Sequence, residues 1–243
     1  MTTRVQFIHR VRREMAKTRG LFPARSAERP ADPLALAEAI RRQLAERWPA
    51  ALEKFREEFE RVGGVFYHVA RIDDVPSLAS RIAKERNAKR VITWASSVFS
   101  DGLGDRLRAE GLEVMEEPRG AAGGDARARF REGASQAEIG VTGADLAVAE
   151  TGSLVVISGG GKARSASLLP PYHIAVFGKG ALVEDLEQVG VIFEAIHRDP
   201  DRNMSGASIT FITGPSRTAD IELTLTRGVH GPKEVHAVFI ESL

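Results

Sequence analysis

The sequence predicts an α/β protein: a largely parallel sheet wrapped by helices, preceded by a helical extension. Three observations carry that reading. From Gly64 onward, short apolar runs alternate with amphipathic stretches. Most of the runs are apolar throughout, as suits strands covered on both faces. Ahead of them, residues 33–62 carry apolar side chains at helical spacing.

The elements follow in order. Leu36, Ile40, Leu44 and Trp48 repeat every four residues, and Pro49 interrupts. Leu52, Phe55, Phe59 and Val62 then resume a helical stripe that ends at Gly63-Gly64, a helix stop. Two helices are therefore expected over 33–62. "VFYHVA" reads as strand. "DDVPSLASRIAKERN" reads as helix with Val75, Leu78 and Ile82 inward. "RVITWAS" is strand, "DGLGDRLRAEG" helix and "LEVMEE" strand. "DLAVAE", "SLVVIS", "HIAVFG", "SITFIT" and "VHAVFIE" are further strands. "ALVEDLEQVGVIFEAI" is a helix with Leu182, Leu186, Val189 and Phe193 on one side. The expected division is a basic arm and helical extension over 1–62 and an α/β domain over 63–243.

Composition narrows the function classes. The 243 residues carry a net charge of +1 and are 43% hydrophobic, with mean hydropathy −0.17 and pI about 8.1. The chain as a whole is therefore no obvious nucleic-acid binder. No run reaches the ~18 apolar residues of a membrane span, and the N-terminus lacks the apolar stretch of a secretory signal. A cytoplasmic location is the expectation. Residues 1–30 hold eight Lys and Arg against Glu14 and Glu28, a net of +6. They are either a solvated arm or a docking arm for an acidic partner. Cysteine is absent, so this chain supplies no disulfide, thiolate nucleophile or cysteine-ligated iron–sulfur cluster. Neither a G-x-S-x-G elbow nor a dinucleotide fingerprint occurs. Of six histidines, His68, His173 and His236 fall in strands and read as core or edge residues. Only His230 lies in a charged loop, and its spacing to Asp220 and Glu222 matches no metal motif.

Ligands of open α/β sheets bind beyond the carboxyl ends of strands, so the loops that follow strands are the place to look. Glu116 to Gly133 is long and rich in glycine and arginine (Arg119, Arg127, Arg129, Arg131). It is either a solvated loop or a lid bringing guanidinium groups to an anion. In the second region, Thr151-Gly152 predicts a tight turn with Glu150 at a strand end, as a ligand group or a structural acceptor. Gly159, Gly160 and Gly161 then precede Lys162 and Arg164, the chemistry of an anion nest or of a plain glycine turn. This is neither a Walker A loop nor G-x-G-x-x-G. The third region, Gly214 to Pro232, holds Arg217, Asp220, Glu222, Arg227 and His230. Ser216 or Thr218 is placed to cap a short helical turn there, although "IELTLT" also reads as extended. Arg217 is either an anion clamp or one member of an internal ion network. Glu150, the Gly159–Arg164 loop, Arg217, Asp220 and His230 are expected to line one cleft that admits a carboxylate or phosphate.

Three segments resemble a known family. "ADLAVAETGSLVVISGGGKAR", "LLPPYHIAVFGKGALV" and "GPSRTADIELTLTRGVHGPKEVHAVFI" are similar to the lactate-utilisation protein C family, the LUD-domain proteins, from about Gly64 to Ile240. The resemblance implies a doubly wound, mostly parallel sheet similar to the sugar-phosphate isomerase and CoA-transferase-like fold. It implies an accessory component of an iron–sulfur system that oxidises L-lactate to pyruvate. The clusters would lie in partner subunits, with no cofactor in this chain. It carries over no catalytic residue. Glu150, Thr151, Gly152, Gly214, Ser216, Arg217, Asp220, Glu222, Gly228, His230 and Gly231 match its recurring segments. The alternative left open is an independent enzyme or sensor acting on a CoA thioester or phosphorylated metabolite.

Overall fold

A computed structural model of the chain describes residues 4–17, 30–95, 101–118, 124–199, 208–219 and 225–242. Asp220 and Glu222 lie outside the described residues, as do Arg119 and the side chains of Arg127 and Arg227. The chain divides into two units, Met1–Asp32 and Pro33–Leu243. In the first, helix α1 (Arg4–Lys17) leaves Val5, Phe7, Ile8 and Val11 exposed.

The second unit opens with α2 (Pro33–Arg61), one continuous helix with Pro49 inside it. The sequence predicts a break there, because an interior proline costs ~3 kcal/mol. Packing on both sides of Pro49 offsets that cost. Leu44, Ala51, Leu52, Phe55 and Phe59 are buried in one core cluster, and Trp48 stacks on Phe239 at 5.6 Å. Gly63, at φ +90°, then turns the chain toward the sheet.

Six parallel strands form the main sheet. They are β1 (Val65–Arg71), β2 (Arg90–Thr93), β3 (Glu113–Glu116), β4 (Ile139–Gly143), β7 (Tyr172–Gly178) and β12 (Glu234–Ser242), ordered β1-β12-β7-β4-β2-β3. Alternate residues feed opposite faces. Val141, Ile174, Val176, Val238 and Ile240 pack with α3 (Val75–Glu85) and α4 (Leu103–Ala109). Ile92, Ala175, Phe177, Ala237 and Phe239 pack with α2, α5 (Gly124–Gln136) and α6 (Ser165–Leu168).

A second, mixed sheet lies on the α2 side: β5 (Leu146–Val148), β6 (Ser153–Ser158), β8 (Leu182–Val183) and β9 (Ser208–Ile212), ordered β8-β5-β6-β9. β6 runs antiparallel to both β5 and β9. "DLAVAE", "SLVVIS" and "SITFIT" are thus strands, but not of the parallel sheet. Helix α7 (Leu186–Arg198) starts later than its apolar pattern suggests, because Asp185 caps it by accepting from Gln188 N at 2.8 Å. Leu182 belongs to β8. The buried face is Val189, Ile192, Ala195 and Ile196, with Leu186 exposed.

Two further expectations are corrected. The stretch predicted as a loop over 116–133 is helical from Gly124, since Phe130 and Ala134 find cover in the core. Arg129 and Arg131 lie on its exposed face. Directly after Ser216, residues 217–219 are strand rather than a helical turn. β10 (Arg217–Ala219) pairs with β11 (Leu225–Arg227) as an antiparallel hairpin. Strand β4, central in the sheet, has no counterpart in the sequence reading. "IGVTG" is weakly apolar because Gly140 passes beneath α6, where a Cβ would overlap the Ala166 carbonyl oxygen. Among the described residues, no helix is long and apolar enough to cross a membrane.

Candidate functional site

Strand order reverses around β2. The chain passes from β2 outward to β3 and returns on the other side as β4. The crevice beyond the carboxyl ends of β2 and β4 is therefore the topological switch point. A cavity of about 350 Å³ runs from there along the carboxyl ends of β4, β7 and β12, with Trp94 contributed from beyond β2. Its polar side chains are Arg41 from α2, Asp145 after β4 and Lys162 after β6. Its walls are largely aliphatic, including Leu146, Ile157, Val176, Ile192, Ile196 and Ile240.

The glycine turn exists to place Lys162. Gly159, Gly160 and Gly161 have φ of 138°, 55° and 94°, conformations that disfavour a side chain. Gly159 and Lys162 bond each other through both backbone pairs, at 3.2 and 3.1 Å. Two amides of the expected nest are thus spent on closing the turn. The turn is also stapled to the sheet: Ala95 N donates to Gly161 O (3.2 Å), Trp94 Nε1 to Ala163 O (3.3 Å) and Ala163 N to Glu117 Oε2 (2.6 Å).

Lys162 then reaches back into the cleft. Its Nζ donates to Asp145 Oδ1 at 2.5 Å and lies 5.3 Å from the centre of the Trp94 ring. Asp145 Oδ2 accepts from Ile157 N at 2.7 Å, which locks the carboxylate's orientation. Arg41, an exposed residue of α2, lines the same cavity and adds a second cation. A cleft with a net positive rim and a fixed carboxylate can hold an anion's charge while receiving a hydroxyl proton. Arg164 is exposed at the start of α6, outside this lining.

The other expected residues gather elsewhere. The turn at Glu150, Thr151 and Gly152 precedes β6, whereas Lys162 follows it. Six residues of strand separate the two ends by about 20 Å. Glu150 Oε2 accepts from Leu186 N (3.3 Å), and Glu150 N donates to Glu184 O (2.9 Å), which ties the turn to the start of α7. Thr151 Oγ1 bonds Ser153 Oγ (2.8 Å), which in turn bonds Thr213 Oγ1 (2.7 Å). Arg217 Nη2 donates to Val62 O at 2.6 Å, satisfying a carbonyl at the end of α2. Ser216 N donates to Pro232 O (2.8 Å), and His230 N to Ser216 Oγ (3.3 Å). These groups lie by the amino ends of β1 and β12, opposite the cleft. The expected single cleft is thus divided, because β6 carries its two flanking turns to opposite edges.

Asp145, Trp94, Arg41 and Glu117 escaped the sequence reading. Asp145 had a usable signal: a lone acid between the apolar runs "IGVTG" and "LAV". Arg41 had none, being one of many exposed helical charges. The buried histidines behave as core residues. His173 Nε2 contacts Thr142 Oγ1 at 2.8 Å, and burial, aided by nearby His236, lowers its pKa to about 3. Burial likewise lowers the pKa of His236. Among the described residues, no group of three or more His, Asp or Glu is placed to hold a metal.

A parallel sheet wound on both faces, with a charged crevice at its switch point, defines a doubly wound α/β protein. Comparison narrows the class. The LUD domain profile matches residues 52–240, and the chain belongs to the LUD domain family. It is 38% identical to "Lactate utilization protein C" of Halalkalibacterium halodurans over 70% of this chain and 71% of that one. It is 30% identical to the protein of the same name from an Exiguobacterium species, over 100% and 98%. A solved protein of the DUF162 family from Deinococcus radiodurans shares the fold, with TM-score 0.54 and 19% identity over 79% of this chain and 97% of that one.

Proposed function

We propose that the protein is a cytoplasmic accessory component of a lactate-oxidising system, and that the Asp145–Lys162 cleft holds the carboxylate it handles. The observation that carries this is the 38% identity, over seven-tenths of both chains, to a relative named for lactate utilization. The cleft chemistry supports it. Lys162 and Arg41 suit a carboxylate, and Asp145 suits an adjacent hydroxyl. Oxidising lactate to pyruvate releases two electrons. With no cysteine to hold a cluster, this chain passes them to iron–sulfur partner subunits or never carries them. The competing reading, a phosphate ester or CoA thioester as ligand, is less well served by a glycine turn whose amides close on each other.

The test combines genetics and enzymology. Deleting the gene in its native host should abolish growth on L-lactate and spare growth on pyruvate. The purified chain should be colourless and should not oxidise L-lactate with artificial acceptors. Oxidation by the isolated chain sinks the accessory role, and normal growth of the deletion strain sinks the pathway. Turnover of an acyl-CoA or sugar phosphate favours the competing reading.

A further inference from the structure

The cleft is too large for lactate alone, and its surface is divided between polar and apolar groups. Its volume, about 350 Å³, equals that of roughly a dozen liquid waters, whereas lactate has about six heavy atoms. Beyond Lys162 and Asp145 lie Leu146, Ile157, Ile192, Ile196 and Ile240, contributed by four different elements. Nothing in lactate, whose side chain is a single methyl, would occupy that space. An apolar wall beside a charged mouth selects a ligand with the same division.

We infer that the cleft is built for 2-hydroxy carboxylates with an aliphatic chain longer than that of lactate. The carboxylate meets Lys162 and Arg41, the 2-hydroxyl donates to Asp145, and the chain runs along the isoleucine wall. This rests on the proposed assignment of a carboxylate to the cleft, but not on the lactate pathway. Gly180 provides a control on the geometry. It lines the cleft, and a Cβ added there meets nothing within 4 Å. Gly180→Leu should therefore fold and shorten the space left for a chain.

Titration calorimetry on the full chain, with L-lactate, 2-hydroxybutanoate, 2-hydroxyhexanoate and 2-hydroxyoctanoate, tests the inference. Affinity should rise about fourfold per added methylene until the wall is covered. Octanoate, lacking the hydroxyl, should bind about tenfold more weakly than 2-hydroxyoctanoate. Gly180→Leu should reduce the gain with chain length, and Arg41→Ala should weaken the whole series. Affinity that is flat or falling with chain length overturns the inference. So does a chain-length gain that Gly180→Leu leaves intact, or inorganic phosphate binding more tightly than any of the acids. A failed series with a lactate-growth defect in the deletion strain removes the long-chain ligand and leaves the pathway standing. A successful series without that defect does the reverse.

Discussion

Asp145 and Lys162 keep only 17% and 25% of their side-chain surface exposed. At that depth, removing one partner leaves the other partly desolvated and uncompensated. Lys162→Met should lower unfolding free energy by about 1–3 kcal/mol, read by urea denaturation, and Asp145→Asn added to it should recover part of the loss. Additive effects would show that the pair is not coupled. His173 gives a pH dependence. Its folded-state pKa of about 3 lies below the ordinary 6.5, so the folded form stays neutral where the unfolded form takes a proton. The associated stability is complete above pH 6.5 and declines as pH falls toward 3, by up to about 1.4 kcal/mol per pH unit. His236 acts in the same direction. His173→Gln, followed by unfolding at pH 4 to 7, should flatten the acid limb by about one proton. An unchanged slope would place the titration elsewhere.

Two glycine turns flank β6 and answer to different constraints. Gly152, at φ +60°, sits where a Cβ would overlap Phe59 N and the Glu58 carbonyl carbon at the end of α2. Gly160, at φ +55°, faces open space. Gly152→Ala should therefore destabilise by more than about 2 kcal/mol, and Gly160→Ala by about 1 kcal/mol from backbone strain alone. Equal shifts in the denaturation midpoints would mean that the contact with α2 carries no weight. The same contrast explains what was legible in the elements. Helices α3 and α4 and strands β1, β2, β3, β7 and β12 follow their local apolar pattern. The pattern around Leu182 misled because a strand and a helix meet there at spacing that imitates one longer helix. "IGVTG" was silent because its central position demands small residues, which carry no hydrophobic signal.

The body of the protein begins at Pro33, and α2 supplies Ile40, Leu44, Leu52, Phe55 and Phe59 to the core beneath the main sheet. The basic segment forms a unit of its own. A chain starting at Pro33 should keep its thermal midpoint within a few degrees, whereas one starting at Gly63 should not fold. Scanning calorimetry of both truncations decides this. If the +6 charge of residues 1–30 docks an acidic iron–sulfur partner, losing the segment should weaken association several-fold at low salt and little at high salt. Equal affinity at both salt concentrations would move the interface onto the α/β body.

The sequence by itself determined the α/β class, the positions of most helices and strands, and the family, through segments such as "GPSRTADIELTLTRGVHGP". Periodicity and motif are properties of neighbours along the chain. Tertiary structure alone decided which loops meet. Glu150, Arg217, His230 and Lys162 all lie near strand ends in the sequence, but a strand has two ends. Antiparallel β6 sends the Glu150 turn to the amino edge of the main sheet and Lys162 to its carboxyl edge. Strand order then brings Asp145 and Trp94, 51 positions apart, to one crevice beside Lys162. No local pattern records that order, because it is set by which crossovers bury the most apolar surface together.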